Sequence, residues 1–211
     1  MHETKRKILT AAAHEFALNG YNGATIRDIC RRAGVNLASI NYHFKSKESL
    51  YKEMFEFLFC ETEKENVFDK ESYESFSEWR YVLRKWVENI ILDIIQKNPL
   101  SEAKWKIFGW EIQDPSSIFP SICETFLKPR LSILASHFRK VLPDDTSEDD
   151  IYIRVFSVIS ICVFYFRDRE IIKTVFPGRN FVSEQIEKII KNITDVACMG
   201  ISYQNEENIK R

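Results

Sequence analysis

One short stretch, residues 36–47, carries side chains whose types and spacing suit a specific chemistry. If Val35, Ile40 and Phe44 face inward on a helix, a turn of about 100° per residue puts Ala38 and Tyr42 on the opposite side. Leu37 and Asn41 then flank them, and Ser39 and His43 lie at the edges. This face is small at its start and rich in hydrogen-bonding groups further along. A helix that enters a DNA major groove needs that order: small side chains permit close approach, and amides, hydroxyls and imidazole reach base edges or phosphates. Lys45 and Lys47 follow at once, where ammonium groups can grip a phosphate backbone. Several of these residues suit two roles. Asn36 fits a helix cap or a DNA contact, His43 fits a DNA contact or packing against an earlier helix, and Leu37 fits a thymine methyl or the helix end. Asn41 and Tyr42 are the strongest candidates for direct contact.

The charge distribution points the same way. Residues 1–52 hold nine Lys/Arg against four Asp/Glu, a net of +5, and the remainder holds 21 against 27, a net of −6. A basic head on an acidic body implies a polyanionic partner for the head alone.

Positioning that face requires three helices. Residues 4–18 show Ile8, Leu9, Ala12, Ala13 and Phe16 at helical spacing, and Asn19-Gly20 ends the run. Residues 21–23 read as a loop. Thr25 followed three residues later by Asp28 reads as a capped start for a second helix, whose inner face is Ile29, Cys30 and Ala33, with Gly34 as its stop. Asn36 is placed to start the third helix, which runs to about Phe44. Two short helices joined through Ala33-Gly34-Val35-Asn36 make a helix-turn-helix.

The run from Thr25 to Leu50, TIRDICRRAGVNLASINYHFKSKESL, closely resembles the DNA-binding signature of the TetR family, and Phe16-Ala-Leu-Asn-Gly20-Tyr21 resembles its usual preface. The likeness covers about residues 5–55. Many members have Tyr where this chain has Asn41, a difference that bears on which operator is read. The resemblance implies that Thr25 and Lys47 contact phosphates at the ends of their helices. It also implies that Asn36, Leu37, Ala38, Ser39, Asn41, Tyr42 and His43 form the groove-facing set.

Beyond residue 50 the chain reads as a helical body. With only six Gly and six Pro in 211 residues, long helices are favoured over a many-turned β fold. Helices are expected over 47–65, 79–96, 103–112, 116 or 120 to 142 with a kink or break at Pro129, 148–166 and 182–199. Residues 66–77 read as a loop, and 167–178 as irregular with one short helical turn. The expected fold is therefore all-α, a three-helix DNA-binding head (1–50), a ligand-binding and dimerisation body (51–203) and a polar tail (204–211). Residues 100–135 also resemble the C-terminal domain of CecR-type TetR regulators, which implies a response to a small molecule.

Aromatic residues concentrate in the body, as in the mostly apolar pockets that bundles offer to ligands. The candidate effector contacts are Trp86, Trp105, Trp110, Glu111, Phe126 and Phe164; Glu111 fits either a cationic or hydroxylated ligand, or a pairing with Arg130 or a lysine. Segment 151–166 is apolar nearly all round, more than one bundle hides. A two-fold interface would use Ile151, Val155, Val158 and Cys162 with Ile186, Ile190 and Ile193 of the last helix. The resulting homodimer would read a palindrome.

Other functions find little support. There is no nucleophile elbow, phosphate loop or H-E-x-x-H, and the histidines at 2, 14, 43 and 137 lack metal spacing, so neither an enzyme nor a metal or cofactor protein is expected. Five widely spaced cysteines without C-x-x-C read as reduced, buried thiols in a cytoplasmic protein. A redox sensor at Cys123 or Cys162 is the weaker alternative, as is a protein-interaction module that has lost DNA binding. No apolar stretch approaches the roughly 20 residues that span a bilayer.

Overall fold

The two short helices near the N-terminus each begin where a side-chain oxygen accepts from an open backbone N–H, and the first of them ends at a glycine. The computed structural model describes residues 3–62, 72–95, 98–199 and 201. Helix α1 (Glu3–Gly23) turns sharply at Gly20, whose φ of 65° and ψ of 179° break the helical path. A β-carbon there would also lie 3.4 Å from the Trp110 ring. Residues 21–23, expected as loop, form a last helical turn beyond this break. Helix α2 (Ile26–Ala33) starts at Thr25, whose hydroxyl accepts from the Asp28 N–H at 3.2 Å. It closes through Gly34 at φ 66°, with Gly34 N–H on Arg31 O and Val35 N–H on Cys30 O. That paired closure with a left-handed residue is the Schellman motif. Asn36 caps α3 (Leu37–Phe44), accepting from the Ser39 N–H at 2.9 Å.

Packing divides the described chain into two compact units, 1–63 with 96–128, and 64–95 with 129–211. In the first, α1 lies against α2, α4 (Lys47–Thr62) and α6 (Pro99–Gln113). Its core joins Ile8, Phe16, Ile29, Ile40, Phe44, Tyr51, Phe55 and Ile107. Helix α6 begins at Pro99 because Asn98 caps it, accepting from the Leu100 N–H at 2.9 Å, and proline suits a first helical position. The sequence pattern puts the start at Ala103 and uses Pro99 only as a stop for the helix before it.

The expected long helix over 116–142 is three pieces: α7 (Phe119–Ile122), a π-helical turn (Cys123–Leu127) and α8 (Lys128–Arg139). Pro129 supplies the reason. It has no N–H to give and crowds the carbonyl four residues back, so the backbone widens one turn earlier, where the Lys128 N–H reaches Cys123 O.

In the second unit, α5 (Phe76–Ile95) presents Trp79, Leu83, Val87 and Ile91 at four-residue spacing to α9 (Glu148–Arg167) and α12 (Ile186–Cys198). The Trp79 indole donates to His137 O at 2.8 Å, and Arg80–Asp195 and Arg84–Glu187 ion pairs tie α5 to α12. Ser147 starts α9, accepting from the Asp150 N–H at 3.1 Å. Segment 167–178 holds a real helix, α10 (Arg169–Val175). The expected last helix divides into α11 (Phe181–Glu184) and α12, with a break at Gln185. The described residues contain no strand, and the fold is all-α. Residues 66–71 of the expected loop and the tail 204–211 lie outside the described residues.

Candidate nucleic-acid interface

The inner face of α3 is where the spacing placed it: Ile40 and Phe44 are each 1% exposed. Opposite them, Tyr42 is 83% exposed and Leu37 55%, and Asn36, Ala38 and Asn41 are also exposed. Ser39 and His43 are half-buried, with the Tyr42 ring edge-on to the imidazole at 5.0 Å. Seven groove-facing candidates are thus gathered on one capped helix. Asn36 acts as the cap, its Oδ1 also accepting from the Ser39 hydroxyl at 3.1 Å. The Thr25 hydroxyl is likewise engaged, donating to Asp28 Oδ2 at 2.5 Å while Asp28 pairs with Arg31.

The charges sort in an informative way. Six of the nine basic residues in 1–52 have acidic partners: Lys5 with Glu53, Arg6 with Glu61, Lys7 with Glu3, Arg31 with Asp28, Arg32 with Glu15 and Lys52 with Glu48. Among the described residues Arg27, Lys45 and Lys47 have none. Two of these follow α3 directly, and Arg27 is exposed on the outer side of α2. Sequence reasoning misses Arg27. The available signal is its place two residues after the cap, off the Ile29–Cys30 face.

Between α3 and α4 the chain turns on Lys45, at φ 58° and ψ −38°. The Ser46 N–H closes back on Phe44 O, a γ-turn that is strained for any residue with a β-carbon. Ser46, also missed, then caps α4 by accepting from the Ser49 N–H at 3.1 Å. The Lys47 ammonium lies over the Tyr21 ring, 4.6 Å from its centroid, and partial burial lowers its pKa from the usual lysine value. Lys45→Gly is expected to hold or raise stability, by up to about 1 kcal/mol, because relief of strain offsets the added freedom of the unfolded chain. The same change should weaken DNA binding and shrink its salt dependence by about 0.9 for each phosphate no longer neutralised. Urea denaturation and a salt titration of DNA binding would check both, and a clearly less stable variant would contradict the strain.

Comparison with known proteins fits this geometry. Residues 8–54 match the family of bacterial regulatory proteins called tetR. Residues 80–201, more than half of the chain, match the C-terminal domain of the HTH-type transcriptional dual regulator CecR. The chain belongs to the TetR family. Among curated TetR-like relatives it is similar to YdgC of Bacillus subtilis (strain 168), named an uncharacterized HTH-type transcriptional regulator, at 35% identity over 52 residues. It is also similar to IcaR of Staphylococcus aureus (strain Newman), the negative transcriptional regulator of the biofilm operon icaADBC, at 41% over 49 residues. These two matches span 25% and 23% of this chain and 27% and 26% of theirs. The fold resembles that of HlyIIR, a hemolysin II transcriptional regulator, with TM-score 0.61 and 24% identity over 91% of this chain and 97% of that one. A linker-substituted HlyIIR mutant gives 26% identity and TM-score 0.60 over the same shares.

The effector and dimer candidates of this TetR-family chain are placed differently from the α3 set. Trp105, Trp110, Glu111 and Phe126 belong to the first unit, and Trp86 and Phe164 to the second. Trp110 donates its indole N–H to Ala17 O at 3.1 Å. Glu111, 1% exposed, for which a ligand contact or a pairing with Arg130 or a lysine was expected, is held by neutral donors: its carboxylate accepts from the Tyr51 hydroxyl at 2.6 Å and from the Ser116 N–H and hydroxyl at 2.8 Å each. Burial and this hydrogen bond push the Tyr51 phenol well above its ordinary pKa.

On α9, Ile151, Val155, Val158 and Cys162 are at most 1% exposed, as are Ile190 and Ile193, while Ile186 is half-buried against the same core. Six of these side chains thus lie in one chain's own core and Ile186 packs at its margin. The apolar residues left outside are Ile153, Phe156 and Phe164 on α9, with Val196 and Met199 at the end of α12.

All five cysteines are free; Cys30, Cys162 and Cys198 are buried, Cys123 is half-buried and Cys60, against expectation, is exposed. Burial pushes the Cys162 thiol up to about 12, which disfavours the reactive thiolate. Among the described residues no His/Cys/Asp/Glu group suits a metal ion, and no helix is long and apolar enough to cross a membrane.

Proposed function

We propose that this TetR-family protein is a cytoplasmic, ligand-responsive transcription regulator, a repressor released from a palindromic operator when its body binds a small molecule. The observation that carries the DNA-binding part is the coincidence on one face. The exposed polar side of α3 adjoins Lys45 and Lys47, and these with Arg27 are the cations of the head that no acid neutralises among the described residues. Tyr42 and Asn41 would read base edges, and Arg27, Lys45, Lys47 and the N–H groups opening α2 and α4 would hold phosphates.

In this reading residues 1–50 bind DNA, 51–203 bind effector and partner, and 204–211 form a tail. A palindrome requires two heads, hence a homodimer. Its interface would use the outward apolar side of α9, Ile153, Phe156 and Phe164, with Val196 and Met199, since large apolar residues exposed in series mark a surface that another chain covers. Repression relieved by effector follows if effector binding favours a body conformation that sets the heads at the wrong separation.

Selection of bound sequences from a random duplex pool, at near-physiological salt, tests the reading. Recovery of a palindrome is expected, and genes beside matching sites would then suggest the effector. A folded dimer that recovers no sequence would reject it. Separately, Ile153→Glu with Phe156→Glu should convert the dimer to a folded monomer in sedimentation, with binding to the palindrome weakened at least 100-fold, roughly what one half-site contributes. An unchanged dimer would place the interface elsewhere.

A further inference from the structure

The phosphate-gripping role of Lys47 leaves open what aims its side chain. A lysine stem has many rotamers, and fixing it on a phosphate loses that freedom. An acid beside it would fix the ammonium but cancel its charge. Lys47 has no acidic partner among the described residues; its ammonium instead rests on the face of Tyr21, 4.6 Å from the ring centroid. An aromatic face attracts a cation without neutralising it.

Tyr21 is itself held on two sides. Its ring lies 4.8 Å from that of Tyr51, and it stacks on Phe16 at 6.1 Å with 13° between the planes. Tyr51 in turn meets Phe16 edge-on at 4.6 Å and donates its hydroxyl to Glu111 at 2.6 Å. Glu111 is fixed by the Ser116 N–H and hydroxyl. A continuous column therefore runs from Ser116 through Glu111, Tyr51 and Tyr21 to Lys47, all within the first compact unit.

We propose that Tyr21 is a positioning residue for DNA binding: its ring presents the Lys47 ammonium to a backbone phosphate, and Tyr51, anchored on Glu111, keeps that ring in place. The proposal rests on the reading of Lys47 as a phosphate contact. Holding the ammonium beforehand reduces the ordering that binding requires.

The test uses the full chain and a mixed-sequence DNA duplex, to which binding is essentially electrostatic, so that the slope of log affinity against log salt counts the phosphates neutralised. Lys47→Ala should shrink that slope by about 0.9 for each phosphate it leaves without a cation. Tyr21→Leu should weaken binding about three- to tenfold, the size of a cation–π interaction, and shrink the slope in the same direction. Tyr21→Phe keeps the ring and should match the unaltered protein. The double variant Tyr21→Leu with Lys47→Ala should bind no more weakly than Lys47→Ala alone.

Equal losses from Tyr21→Leu with and without Lys47, or a loss in Tyr21→Phe matching that in Tyr21→Leu, would overturn the proposal and leave the ring a packing role. An unchanged slope in Lys47→Ala would overturn the phosphate reading and the proposal together, which separates the two failures. If Tyr21→Leu does not fold, the Lys47 ε-methylene proton shift decides. An upfield ring-current shift that persists on the duplex is expected, and its disappearance on DNA would overturn the proposal.

Discussion

Tyr42→Ala is expected to abolish sequence-specific binding while leaving the fold as it is. The ring is 83% exposed and its one described ring neighbour is the edge of His43. Truncating a side chain so placed changes stability by no more than about 0.5 kcal/mol. The loss falls on DNA. A base contact contributes about 1–3 kcal/mol of discrimination, and a dimer makes it twice, so specific affinity should fall about 1000-fold. Tyr42→Ala takes away no Lys or Arg, so the salt slope and binding to mixed-sequence DNA should stay as they were. Titration of the selected palindrome and of a scrambled duplex, beside a thermal melt, measures all three. Operator affinity retained in the variant would remove α3 from the reading role.

Glu111→Ala is expected to have the largest effect on stability. The carboxylate is buried and accepts three hydrogen bonds, from the Tyr51 hydroxyl, the Ser116 N–H and the Ser116 hydroxyl. Its removal leaves three donors in an apolar surround, each costing about 1–3 kcal/mol if no water replaces the oxygen. A loss of about 3–5 kcal/mol follows, a large part of a domain's usual stability. Urea denaturation followed by tryptophan fluorescence measures it; a loss below about 1 kcal/mol would show that the site rehydrates freely. Glu111→Gln keeps one acceptor oxygen and should fall between the two. An acid set among the aromatic residues of α6 looks the same in sequence whether it awaits a ligand or seals a corner, and here it is Tyr51 and Ser116 that it meets.

That contrast explains what the sequence could tell. The caps at Thr25, Gly34 and Asn36 were legible because each acts within a few residues. So was the outward set on α3, because Ile40 and Phe44 leave one choice of inner face. Segment 151–166 offered no such choice. It is apolar nearly all round, so periodicity could not say which apolar residues face the core. In the structure Ile151, Val155, Val158 and Cys162 are the buried ones. The Tyr51–Glu111 bond joins positions 60 apart and the Trp110–Ala17 bond positions 93 apart, and no local pattern announces either. The strained turn at Lys45 was hidden for another reason: a glycine would have signalled it, and the chain uses lysine there instead. At Pro129 the residue gave the place of the disruption but not its form, because a kink, a break and a widened turn all answer a missing N–H.

The division of the first unit between residues 1–63 and 96–128 has a consequence for how the chain is made. The ring of Tyr51 and the flank of α1 are covered by α6, which the ribosome delivers only after all of α5. The N-terminal helices therefore wait, with apolar surface open, while a segment belonging to the other unit is synthesised. A chaperone or a nascent neighbour has that interval in which to engage them, and the helices around α3 are not finished until α6 has followed them.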